Sequence, residues 1–94
     1  MKWSDIEFKE HYLVKDGVQA RVEFPNGEWC SIVGAPPAYD EKTGFNWNRL
    51  YGDGVETFEI MSSSTAKMRR NTVKGWLSKK QVMNHLRYLK NKSV

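Results

Sequence analysis

Lys67, Arg69, Arg70, Lys74, Lys79, Lys80, Arg87, Lys90 and Lys92 all fall within residues 60–94, a stretch with no acidic side chain. Clustered cations bind phosphates or carboxylates, so this stretch points to nucleic acid or to an acidic protein surface. Residues 1–59 carry 11 acidic and 6 basic side chains. The two parts sum to −5 and +9, and the whole chain to +4. Folding alone needs no such split, and like charges gathered together cost stability. The plainer reading is a solvated basic surface balanced by the acidic part. Two lysines at the start of a helix, Lys79 and Lys80, oppose its dipole by a few tenths of a kcal/mol each. Contact with an anion would explain their placement.

Trp47 and Tyr51 lie in a Gly- and Pro-containing loop, where they could stack on bases or anchor a protein interface. The alternative is that they plug the open end of a small sheet. Cys30 would need a nearby base to act as a nucleophile, and His11 and His85, the only histidines, are remote in sequence. A buried structural thiol is the expected role. Two His, one Cys and scattered carboxylates show no paired metal-ligand spacing. Gly52-Asp53-Gly54 is followed by a strand pattern where a phosphate loop would be followed by a helix, so it reads as a tight turn. Asp53, Glu56 and Glu59 fall too irregularly for an acid/base pair. We therefore expect no enzyme, no metal and no cofactor.

The elements that would hold these groups follow from periodicity. Ser4 and Glu7 have capping-box spacing and Trp3 and Phe8 staple spacing, which predicts a short helix over residues 5–10. His11–Lys15, Asp16-Gly17 and Val18–Phe24 read as a hairpin with glycine supplying the turn. From Val18 the alternation puts Val18, Ala20, Val22 and Phe24 on one side, opposite Gln19, Arg21 and Glu23. Pro25-Asn26-Gly27 turns the chain into a strand over 29–33. Residues 34–54 show no period, and residues 55–61 alternate again, with Phe58 and Ile60 together. Residues 62–76 read as a polar, basic connector. Ser78 and Gln81 form a second capping box, flanked by Leu77 and Val82, for a helix over 79–91. On it Val82, Leu86 and Leu89 form one stripe, with Met83 and His85 at its edges and Lys80, Asn84, Arg87 and Asn91 opposite.

The expected fold is α+β, one domain over residues 1–94. A small antiparallel sheet of three to four strands carries the C-terminal helix on one face, with a short N-terminal helix. Val82, Leu86 and Leu89 should meet Val22, Phe24, Ile32, Phe58 and Ile60. A single cysteine excludes an internal disulfide and fits a reducing setting. No apolar run suggests a signal peptide or a membrane span.

Three segments together resemble small accessory proteins of tailed bacteriophages. They are Arg21–Gly34, containing Ser31-Ile32-Val33; Tyr51–Ile60, a Tyr-Gly strand ending in Phe58-Glu59-Ile60; and Gly75-Trp76-Leu77-Ser78 followed by a helix. The terminal helices of those proteins are typically acidic, whereas this one has no acid. The resemblance implies action in the cytoplasm of an infected bacterial cell, by binding and interfering with a host or anti-phage defence protein. Lys67, Arg69, Arg70, Lys74, Lys79, Lys80, Arg87, Lys90, Trp47 and Tyr51 are the candidate partner-binding residues. A second reading is a nucleic-acid-binding module using the same cations. A third is a homo-oligomer in which the acidic part of one copy meets the basic part of the next.

Overall fold

Alternation of apolar and polar residues builds a five-stranded antiparallel meander, and one amphipathic helix closes it. The structure is a computed structural model that describes residues 1–11, 14, 16–39, 41–44, 50–65 and 73–92. The strands are β1 (Lys9–Glu10), β2 (Val18–Glu23), β3 (Trp29–Gly34), β4 (Thr57–Ser62) and β5 (Lys74–Ser78), followed directly by helix α1 (Lys79–Lys90). The spatial order is β1-β2-β3-β4-β5, so every strand pairs with its neighbour in sequence.

Register fixes the two faces. Ala20 pairs with Ile32 and Ile32 with Ile60; Val22 pairs with Cys30 and Cys30 with Ser62. These side chains form one face with Phe58, and Val82, Met83, Leu86 and Leu89 of α1 cover it. Phe24 packs against this core from a partly buried position, as expected. Burying each of these large aliphatic side chains is worth about 1.5–3 kcal/mol, which holds α1 in place. Cys30 is buried within this cluster, and burial pushes its thiol pKa up to about 12.

The sheet has five strands where three to four were expected. β5 has no expected counterpart and β1 is displaced from the expected strand over 11–15; both lie where the sequence pattern is broken. The expected helix over 5–10 is instead a 3-10 turn, Trp3–Asp5, after which the chain extends into β1. Asp5, not Ser4, makes the local cap: its Oδ2 accepts the Lys2 N–H at 2.8 Å. Ile6 then leaves helical geometry and is buried in the core. Trp3, Phe8 and Phe58 pack ring on ring at 4.9–5.7 Å. This burial outweighs the weak propensity of a single helical turn. Trp3 and Phe8 do meet, but across an extended segment.

The first hairpin pairs β1, at residues 9–10, with β2, so it begins before the expected strand over 11–15. Asp16, not Gly17, adopts the positive φ, at 58°. Val55 and Glu56 belong to a turn, and β4 begins at Thr57. The expected connector over 62–76 is corrected at both ends. Ser62 closes β4 and Thr65 is buried, while Lys74–Ser78 is a strand. A bulge hid that strand: Phe58 pairs with Leu77 but Ile60 with Lys74, so Gly75 and Trp76 together oppose Glu59. One extra residue reverses the side-chain parity and erases the period-two signal.

Asn26, at the tip of the β2–β3 turn, reaches the far end of α1. Its Nδ2 donates to the carbonyls of Leu89 (2.9 Å), Lys90 (3.3 Å) and Lys92 (3.3 Å), groups a helix end leaves unsatisfied.

Candidate functional site

Helix α1 starts from Ser78, whose Oγ accepts the Gln81 N–H at 3.2 Å while Gln81 Oε1 accepts the Ser78 N–H at 2.8 Å. The expected capping box is thus formed, and it offsets the unfavourable placement of Lys79 and Lys80 at the positive end of the helix dipole. With Val82, Met83, Leu86 and Leu89 turned inward, Lys79, Lys80, Asn84, Arg87 and Lys90 are exposed. The ammonium of Lys79 lies 5.7 Å above the Trp3 ring. Arg87 Nη1 donates to Asn84 Oδ1 at 3.2 Å. Among the described residues only Arg21 with Glu23 (2.8 Å) and Lys92 with Glu28 (3.6 Å) form ion pairs. None of Lys74, Lys79, Lys80, Arg87 and Lys90 therefore has a carboxylate partner among them. Lys67, Arg69, Arg70 and Trp47 lie outside the described residues.

Tyr51 is half exposed and sits at a tightly built junction. Glu59 Oε1 of β4 accepts the Tyr51 N–H at 3.3 Å. Gly52 approaches β4 so closely that a Cβ there would stand 2.6 Å from Phe58 Cα. Gly75 of β5 leaves room for the Tyr51 side chain, and a Cβ at Gly75 would collide with it. Trp76 N–H donates to the Tyr51 carbonyl at 2.6 Å. Trp76 itself has φ 56° and is among the most exposed large side chains. Tyr51 thus packs on β5 and still faces water, between the plug and the free anchor considered from sequence.

The Asp53 turn confirms a structural use of the Gly-Asp-Gly segment. Asp53 Oδ1 accepts the N–H groups of Val55 (2.8 Å), Glu56 (2.8 Å) and Thr57 (3.0 Å). The backbone N–H groups of Thr57, Val55 and Glu56 hold the carboxyl well below its ordinary range, at about 2.

His85 Nε2 meets Ser62 Oγ at 2.8 Å. The Ser62 hydroxyl is fully buried and also accepts the Thr65 N–H at 3.2 Å. Among the described residues no carboxylate orients the imidazole, and the Ser62 hydroxyl is fully buried, so the pair links α1 to the end of β4. Burial, then the neighbouring Lys74 and Lys92 cations, lower the His85 pKa below 6.5. Lys74, Gln81, Asn84, His85 and Tyr88 line an open cleft of about 530 Å³ between β5 and α1. Among the described residues, no group of three or more His, Cys, Asp or Glu side chains gathers to hold a metal ion. Nor is any described helix long and apolar enough to cross a membrane.

Two exposed residues were not singled out as site residues from sequence. Tyr88 faces out from α1, and its position one residue before the buried Leu89 was the available signal. Trp76 carried none, because the bulge scrambles the alternation around it.

Comparison with family models, with curated proteins and with solved structures gave no match to this chain.

Proposed function

We propose that this protein is a non-enzymatic binding protein that docks on an acidic protein surface through the outer face of α1 and the adjoining β5. The observation that carries this reading is the unanswered charge. Lys74, Lys79, Lys80, Arg87 and Lys90 are exposed, and no carboxylate among the described residues pairs with them. The apolar stripe of the same helix is committed to the core, so its cations are what the helix offers a partner. Such a surface steers an acidic partner into contact and sets its orientation. The resemblance to phage accessory proteins supplies the setting: the cytoplasm of an infected bacterium, with a host or anti-phage defence protein as the partner.

Affinity purification from expressing bacteria, with and without nuclease, tests the reading. A protein retained after nuclease at low salt and released as salt rises is the expected result. Retention that vanishes with nuclease would instead establish nucleic-acid binding.

A second reading, a nucleic-acid module, is favoured by one feature: half-exposed Tyr51 beside exposed Trp76, close in sequence to Lys74 and Lys79. Aromatic side chains flanked by cations are a stacking platform for single strands.

A further inference from the structure

Trp76 bears two costs that the fold does not require of it. Its backbone lies at φ 56°, in the left-handed region that a bulky side chain enters only against a penalty. Its indole is also 62% exposed, so little core burial offsets that penalty. The strained residue is held firmly, since its N–H donates to the Tyr51 carbonyl at 2.6 Å. Tyr51, 53% exposed, occupies the room left by Gly75 beside it. The backbones of two exposed aromatic residues are thus joined at the edge of the sheet. Exposed Lys74 lies on one side of Trp76 in sequence, and exposed Lys79 and Lys80 on the other. Strain retained at an exposed aromatic is the mark of a site shaped for contact. An aromatic side chain on a backbone fixed before binding leaves only its own rotamers to be ordered when it is buried.

We propose that Trp76, seated beside Tyr51, is the anchor with which this surface engages its protein partner. The indole enters an apolar pocket of the partner, while Lys74, Lys79 and Lys80 meet carboxylates on the pocket's rim. The inference rests on the reading of the molecule as a protein-binding module and names the residue that dominates the contact. Charge around the anchor selects a protein over a nucleic acid. Glu59 lies opposite the bulge, with its carboxylate on the Tyr51 N–H. A strand stacked on Tyr51 and Trp76 would bring phosphates against that carboxylate. A protein surface can match lysines on one side and a carboxylate on the other; a uniformly anionic polymer cannot.

The test uses the full chain carrying a photo-crosslinking residue, Trp76→p-benzoylphenylalanine, in expressing bacteria, with Arg21→p-benzoylphenylalanine as the control. Position 76 should give one discrete protein adduct that position 21 does not. The protein so identified should bind Trp76→Gly and Trp76→Ala at least about thirtyfold more weakly than the wild type. Trp76→Phe should recover most of that loss. Both small variants remove the same indole, but only glycine accepts the positive φ, so Trp76→Gly should melt roughly 4 °C or more above Trp76→Ala. An adduct with nucleic acid, no adduct, full affinity in Trp76→Gly, or a Trp76→Ala variant as stable as Trp76→Gly would overturn the proposal. Loss of the partner in Lys80→Glu/Arg87→Glu/Lys90→Glu but not in Trp76→Gly would leave the basic surface standing and remove the anchor. A wild-type chain that retains no protein at all would remove both.

Discussion

The Asp53 turn and the outer face of α1 both carry charge at the surface, and the chain answers only the first. Three backbone N–H groups converge on one Asp53 oxygen, and two glycines let the loop settle against the sheet behind it. On α1, by contrast, Lys80 and Lys90 have no carboxylate within reach among the described residues, and Arg87 has only the Asn84 amide oxygen. A charge satisfied at home stabilises the fold. A charge left open is free to act on something else. The difference separates residues that position the surface from residues that form it.

Substitutions at the two regions should therefore fail in different assays. Gly52→Ala forces a Cβ into the Phe58 backbone and should cost about 3 kcal/mol in denaturant unfolding, the upper range for overpacking. Lys80→Glu/Arg87→Glu/Lys90→Glu should leave stability within about 1 kcal/mol. The same triple variant should weaken partner binding about a hundredfold at low salt, with the loss mostly in the association rate. A large drop in melting temperature there would mean that those cations serve the fold, and the contrast would collapse.

Asp53→Ala should cost about 1 kcal/mol at neutral pH, the scale of a lost cap, with no change in partner affinity. Because the folded pKa of Asp53 is depressed, its contribution is complete above the ordinary carboxylate value of 3.8. It drains away as pH falls towards about 2. Acid unfolding of wild type and Asp53→Ala should converge over that window. His85 gives the smallest effect. Its folded pKa is also depressed, so the stability linked to it is full above 6.5 and declines as pH drops below that value. Urea unfolding at neutral and mildly acidic pH should show this slope in the wild type and not in His85→Asn, with less than about 1 kcal/mol between them.

Legibility from sequence followed the length and regularity of each element. β2, β3 and α1 were readable because their apolar residues keep one period and, for α1, because Ser78 and Gln81 state where it starts. β4 was readable except for its first turn, where Asp53 rather than alternation controls the backbone. β1 has two residues, too few to show a period at all. β5 has five, but its bulge moves Trp76 out of phase, and glycine at 75 removes the side chain that would have marked the opposite face. The N-terminal capping box was a local preference overruled by the burial of Ile6. The cations of α1 were placed correctly on the exposed face, since the apolar stripe dictates which side is left over. Trp76 depended on a backbone angle that no periodicity encodes.

The clamp from Asn26 to the carbonyls of Leu89, Lys90 and Lys92 sets an order of events during folding. A helix normally frays from its ends inward, but here the final turn of α1 is tied to a hairpin tip more than sixty positions earlier in the chain. That turn can gain its full protection only once β2 and β3 have paired and α1 has docked. Amide exchange in the last turn of α1 should then track opening of the whole sheet, while the first turn, held by its own capping box, opens independently. The cationic face would thus be kept in shape from its far end, by a turn that carries no charge on the side chain that does the holding.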